Sequence, residues 1–201
     1  SITSTDESFA ALKSDGSVVS WGSYIDQSGV ASELSSGVSE IFTTGSGFAA
    51  LKSDGSVVNW GDTWDSCNRC IQFSINGLNP QLSSGVVDIY HNTESFAALK
   101  SDGSIVTWGD IGAGDSSSVS YALSSGVIDI IGSTSGVASS FAALKSDGSV
   151  VSWGSIQVSG TVDSNELLIS QPDTARALNS GIQSIYSNDR AFAALDSDGV
   201  N

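Results

Sequence analysis

The sequence predicts an all-β chain, a tandem array of about five β-meander modules arranged in a propeller-like way, and three observations carry that prediction. First, one phrase, F-A-A-L followed by Lys or Asp and then S-D-G, opens at Phe9, Phe48, Phe96, Phe141 and Phe192, at intervals of 39, 48, 45 and 51 residues. A second phrase precedes it as Leu34-Ser-Ser-Gly-Val, Leu82-Ser-Ser-Gly-Val, Leu123-Ser-Ser-Gly-Val and Leu178-Asn-Ser-Gly-Ile. Third, apolar residues come in short bursts between Ser-, Gly- and Asp-rich stretches, with 22 glycines and 39% apolar content in 201 residues. Self-similarity at a period of about 40–50 residues marks units that cannot bury both faces alone and must stack on their neighbours.

Each module reads in order as three strands. The first is the Gly-Val-x-x-Ile run. Its Ile stands seven residues before the Phe at Ile2, Ile41, Ile89 and Ile185, whereas Ile130 is followed by four extra residues within 132–140. The second is F-A-A-L, and the third is the β-branched pair that leads to Trp-Gly. Asp15-Gly16 between the last two reads as a two-residue type I′ hairpin turn. That turn pairs Lys13 with Val18, Leu12 with Val19, Ala11 with Ser20 and Ala10 with Trp21. Ala10, Leu12, Val19 and Trp21 are then expected on one buried face, and Ala11, Lys13, Val18 and Ser20 on the other.

After each Trp-Gly the chain varies in length and composition, over 23–33, 62–81, 110–122 and 155–177. These segments read as loops, with or without a fourth outer strand. The best helical candidate is 165–179, interrupted by Pro172. The chain is thus one repeat array with modules at about 1–33, 34–81, 82–122, 123–177 and 178–201. The first module opens at Ser1-Ile2 without its Leu-Ser-Ser-Gly-Val lead. The last stops at Asn201 after two strands. Either further repeats of a longer array or the next subunit, docked head to tail, is expected to complete the end blades, which makes a closed ring of this chain alone an unexpected outcome.

Charge narrows the function. Seven Lys and Arg against 22 Asp and Glu give a net charge of −15, which repels phosphate backbones and anionic bilayers. Nucleic acid and membrane insertion are therefore not expected, and no apolar run approaches the roughly 20 residues that span a bilayer.

The candidates for chemistry are few. Ser14, Asp15 and Ser17 recur in every complete copy, as turn chemistry does. Trp21, Trp60, Trp108 and Trp153 fall with Leu and Val and read as core pillars rather than sugar platforms. Trp64, within Asp62-Thr-Trp-Asp-Ser-Cys, lies in a variable segment and is a contact candidate, as is Tyr24. Cys67-Asn-Arg-Cys70 supplies two of the four ligands of a structural zinc site, and the sole His, His91, leaves the set incomplete. A local disulfide between Cys67 and Cys70 is the better reading, and it implies an oxidising compartment. His91 is accompanied by no G-x-S-x-G elbow or other nucleophile signature. Asp62 with Asp65 and Asp110 with Asp115 are carboxylate pairs of the kind an acidic chain contains by chance. No catalytic residue, metal or cofactor is expected, and the chain is not read as an enzyme.

The module Ile, short loop, F-A-A-L-K-S-D-G-S-V-V-S-W-G resembles the repeat of the regulator of chromosome condensation family, along the whole chain. That resemblance implies seven-bladed propellers whose members serve as GTPase exchange factors, chromatin binders, ubiquitin-ligase parts or secreted enzyme inhibitors. The family's His is replaced here by Phe9 and its counterparts, and its Gly-x-Asn-x-x-Gly-Gln-Leu-Gly segment is absent, so no functional residue carries over. The expectation is a non-enzymatic structural or protein-interaction scaffold, extracellular or displayed at the cell surface, that pairs with copies of itself, with other surface proteins or with glycans, and is assembled head to tail as a filament subunit. The alternatives are a regulatory propeller for one protein partner, such as a GTPase or an enzyme, and a carbohydrate-binding module using Trp64 or Tyr24.

Overall fold

The computed structural model describes residues 1–23, 25, 27–61, 80–133, 139–154, 180–188 and 192–196. They form five small antiparallel sheets, four of them three-stranded meanders in chain order and the fifth a pair of strands among the described residues. The first sheet holds β1 (Ile2–Ser4), β2 (Ser8–Leu12) and β3 (Val18–Gly22). The second holds β4 (Val38–Thr43), β5 (Gly47–Lys52) and β6 (Val57–Gly61). The third holds β7 (Val86–His91), β8 (Ser95–Lys100) and β9 (Ile105–Gly109). The fourth holds β10 (Val127–Gly132), β11 (Ser140–Lys145) and β12 (Val150–Gly154), and the fifth β13 (Ile182–Ser187) and β14 (Phe192–Asp196). Between sheets run the one-turn helix α1 (Ile111–Gly114) and 3-10 turns at Glu33–Ser35, Pro80–Leu82 and Ser117–Val119. Among the described residues no fourth strand joins any sheet.

The S-D-G turn differs from the two-residue loop that Asp-Gly suggests. Lys13 N donates to Ser17 O at 2.9 Å and Gly16 N to Lys13 O at 3.1 Å, so the loop holds Ser14, Asp15 and Gly16. Asp15 Oδ1 accepts from Ser17 N at 2.9 Å and from Ser17 Oγ at 2.6 Å. Gly16 alone takes the left-handed conformation, at φ 77°. A type I turn closed by a left-handed glycine asks nothing unusual of the Asp, whereas type I′ needs positive φ at both residues. The same pair of bonds recurs at Asp54–Ser56, Asp102–Ser104 and Asp147–Ser149. These bonds, the Ser hydroxyl first, hold all four carboxyls below their ordinary value.

One extra loop residue shifts the register by one and reverses which residues share a face. Phe9 now stands opposite Trp21, Ala10 opposite Ser20, Ala11 opposite Val19 and Leu12 opposite Val18. One face of the blade is therefore Phe9, Ala11, Val19 and Trp21, joined by Ile2 opposite Ala11. The other is Ala10, Leu12 and Val18. The expected grouping of Ala10 and Leu12 with Val19 and Trp21 is corrected accordingly. The shift also creates a stacked pair in each complete blade: ring centroids lie 5.6 Å apart for Phe9–Trp21, 5.1 Å for Phe48–Trp60, and 5.2 Å for both Phe96–Trp108 and Phe141–Trp153.

Stacking is uniform and directional. The Phe–Trp face of each blade packs on the Ala-Leu-Val face of the blade before it. Phe48, Ala50, Val58 and Trp60 lie on Ala10, Leu12 and Val18. Phe96, Ala98 and Val106 lie on Ala49, Leu51 and Val57. Phe141, Ala143, Val151 and Trp153 lie on Ala97 and Leu99, and Phe192 lies with Ile185 on Ala142, Leu144 and Val150. Leu34, Leu82 and Leu123 from the inter-blade segments seal the first, second and third inter-blade cores. Trp60 and Trp153 are buried as expected and Trp108 is partly buried, but Trp21 is 45% exposed.

Backbone bonds tie the two repeated phrases together across each junction. The turn glycine carbonyl of one blade accepts from the first strand of the next: Gly16 O from Val38 N, Gly55 O from Val86 N, Gly103 O from Val127 N and Gly148 O from Ile182 N, each at 3.0 Å. The Lys that follows F-A-A-L reaches back to the preceding segment, Lys52 Nζ to Glu33 O at 2.9 Å, Lys100 Nζ to Gln81 O at 2.9 Å and Lys145 Nζ to Ala122 O at 2.7 Å. A Cβ on Gly103 would sit 2.7 Å from Gly126 N, at a φ of 76° that β-branched residues resist. Gly103→Val is therefore expected to destabilise by about 1–3 kcal/mol in chemical denaturation. It should cost more than Gly181→Val, whose Cβ would meet nothing within 4 Å.

Candidate interaction surfaces

Because stacking places the repeated apolar residues in cores, surfaces available to a partner among the described residues lie on the inner strands and in the described inter-blade segments. First strands of successive blades lie against one another, which puts them on the inner side of the array. Each described first strand after β1 carries a bulge in its pairing, between Val38 and Glu40, Val86 and Asp88, Val127 and Asp129, and Ile182 and Ser184. The bulge leaves one extra residue, Ser39, Val87, Ile128 or Gln183, unpaired in the ladder. Val87 is 53% and Ile128 56% exposed. The next positions are Glu40, Asp88 and Asp129, so the inner edge alternates exposed apolar and acidic side chains.

Tyr90 bridges two blades on this edge, its hydroxyl donating to Asp129 Oδ1 at 3.5 Å. Burial, and then the neighbouring carboxylates Asp88 and Asp129, push the phenol up to about 12. Both effects disfavour the phenolate.

The first and fifth blades differ from the three between them. On the first blade Ile2 is 69%, Phe9 45% and Val19 44% exposed, beside half-exposed Trp21. Counterparts Phe48, Phe96 and Phe141 are fully buried. On the fifth blade Tyr186 is 56% and Leu195 40% exposed, on the face opposite the one that covers the fourth blade.

A further open pocket of about 320 Å³ lies between the third and fourth blades, lined by Lys100, Ser104, Ser116, Ser120 and Ser124 among others. Its only cation is already bound to the Gln81 carbonyl.

The residues singled out from sequence are placed unevenly. Tyr24, Trp64, Cys67 and Cys70 lie outside the described residues, as do Asp62, Asp65 and the helical candidate at 165–179. His91 ends β7, exposed and opposite Phe96. Asp110 accepts from Ala113 N at 3.2 Å and Asp115 from Ser117 N at 2.8 Å, so each caps its own turn. Among the described residues no three His, Cys, Asp or Glu side chains gather as metal ligands, and no helix is long and apolar enough to cross a membrane. The inner edge escaped sequence reasoning because it depends on bulges that the spacing does not show.

Five stacked meanders with this inner-to-outer strand order define a propeller-like repeat protein. No protein-family model and no curated protein matches the sequence. Among solved structures the chain is similar to Prp20p of Saccharomyces cerevisiae, with a TM-score of 0.57 and 20% identity over 98% of this chain and 55% of that one. It is similar also to yeast RCC1 (Prp20) solved with Kap60, at 0.55 and 21% over 98% and 54%, and to human WBSCR16, at 0.53 and 15% over 98% and 59%. The chain thus spans little more than half the length of these neighbours, and the likeness is one of fold.

Raising pH should ionise Tyr90 well above the ordinary phenol range. The phenol ordinarily titrates at 10 and here at about 12, so the stability it lends is complete below pH 10 and is lost as pH climbs to about 12. Absorbance titration near the tyrosinate band should lose its component near pH 12 in Tyr90→Phe, and that component should move to lower pH in Asp129→Asn.

Proposed function

We propose that the chain is a non-enzymatic scaffold that binds proteins, displayed outside the cell, whose repeats are those of a divergent regulator of chromosome condensation array. The observation that carries this reading is the inner edge of the array, where the bulge residues Val87 and Ile128 are 53% and 56% exposed beside Asp88 and Asp129. Contiguous exposed apolar and aromatic side chains rimmed by polar residues mark interaction sites. Regulatory binding of a single protein partner is the second reading. It is favoured by the fold likeness to Prp20p, a structure described together with its binding to Gsp1p and histones, and by the acidic and apolar inner edge around Val87, Asp88, Ile128 and Asp129. Carbohydrate binding rests on Tyr24 and Trp64 and has less support.

A photo-crosslinking residue at Val87 tests the scaffold reading. A protein adduct is expected there, from another copy or a different protein, and not at Ser53 in the second turn; no adduct at Val87 in the native medium overturns the reading. The extracellular assignment rests on the Cys67–Cys70 pair. Alkylation without reductant, followed by intact-mass analysis, should add no alkyl groups, and two added groups would count against an oxidising compartment.

A further inference from the structure

We propose that the inner edge of the second, third and fourth blades docks a basic protein segment in which Arg or Lys alternates with apolar residues. This deepens the scaffold reading by naming the partner's chemistry, and it rests on that reading. The argument starts from the bulges. In the third and fourth blades they turn Val87 and Ile128 out to solvent, at 53% and 56%, while Val86, Ile89, Val127 and Ile130 of the same strands stay buried. Bulges re-aim side chains in this way. The next residue is in each case a carboxylate, Asp88 or Asp129, and Glu40 holds the same place in the second blade. Three successive blades thus line one edge with acids, two of them beside an exposed aliphatic side chain.

These carboxylates are fixed in place without being neutralised. Asp88 Oδ1 accepts from Ile89 N at 2.8 Å, and Asp129 Oδ1 from Ile130 N at 2.9 Å. The Tyr90 hydroxyl stands between the two, donating to Asp129 Oδ1 of the next blade at 3.5 Å with Asp88 beside it. All three donors are neutral, so they orient the acids and leave the charges. Lys52, Lys100 and Lys145 stand opposite Val38, Val86 and Val127. Their ammonium groups, however, are bound to the carbonyls of Glu33, Gln81 and Ala122. Among the described residues no Lys or Arg forms an ion pair with Glu40, Asp88 or Asp129. Two carboxylates flanking one phenol present several acceptors at one spot, which the planar fork of Arg engages better than a point cation does.

Charge decides between occupants. A second copy carries −15 and meets this edge with like charge. A basic segment is drawn to it at long range, and it gains most where the carboxylates are already ordered. Apolar side chains between its cations cover Val87 and Ile128, and burial of that surface fixes a register that charge alone leaves loose.

A labelled synthetic peptide of alternating Arg and Val tests this by fluorescence anisotropy against the full chain, with an alternating Glu and Val peptide of equal length as control. The Arg-Val peptide should bind, more weakly as salt rises, and the Glu-Val peptide should not. Asp88→Asn and Asp129→Asn should each raise the dissociation constant about tenfold. Glu94→Gln removes the same charge from the exposed β7–β8 loop and should leave the constant nearly unchanged. Asn still accepts from the Ile89 or Ile130 amide, so melting temperatures should hold; should one Asp variant melt below the parent, the other carries the test. Val87→Ser should weaken the Arg-Val peptide and leave an alternating Arg and Ser peptide unaffected. No binding of the Arg-Val peptide, or an equal loss in Glu94→Gln and both Asp variants, overturns the proposal. Mapping the Val87 adduct separates the two readings. A crosslink to a Lys- or Arg-bearing segment of another protein supports both. An adduct with a second copy, or with a segment lacking cations, overturns the basic partner alone, and no adduct overturns the scaffold itself.

Discussion

Register depends on one hydrogen-bonded turn. In Ser14-Asp15-Gly16 the carboxylate accepts from both the amide and the hydroxyl of Ser17, and this fixes a three-residue loop. Everything larger follows from that one-residue choice. It sets Phe9 against Trp21, which makes one face of the blade aromatic and leaves the other face with the small and medium residues that an aromatic pair can lie upon. It also aims the Gly16 carbonyl at Val38 N in the next blade, so the element that sets the hairpin also starts its neighbour. Two phrases repeat in the sequence because they meet each other at every junction.

Strand number, strand order and the meander were legible in the sequence, because hydrophobic alternation broken by Gly and Asp is a local signal. Register was not. Asp-Gly serves both the two-residue and the three-residue hairpin, and the difference lies in Ser17, whose hydroxyl and amide reward a type I turn. The bulges at Ser39, Val87, Ile128 and Gln183 were equally silent, since a Gly-Val-x-x-Ile spacing fits a regular strand as well as a bulged one. With the faces misassigned, Trp21 was expected in a core together with Leu12, on the opposite side of the sheet.

The candidate surfaces teach a related lesson. Sequence reasoning looked for function in what varies, at Tyr24, Trp64 and the Cys67–Cys70 segment. Yet apolar exposure among the described residues comes from what repeats as well as from what varies, where Tyr121 is 94% exposed. Trp21 and Trp60 stand in nearly identical phrases, and one is 45% exposed while the other is at 0%. No local signal separates them, because burial is set by the sheet that packs on the pair, which the phrase itself does not encode.

Position also grades stability. In a stack where each unit contacts only its neighbours, stability is nearly a sum of unit and junction contributions. The second, third and fourth blades have both faces covered, and the buried junction side chains Phe48, Phe96 and Phe141 lie there. The first blade has one covered face, and the described part of the fifth pairs only two strands. Among the described blades the second, third and fourth are held by the most junctions, and opening begins where contacts are fewest.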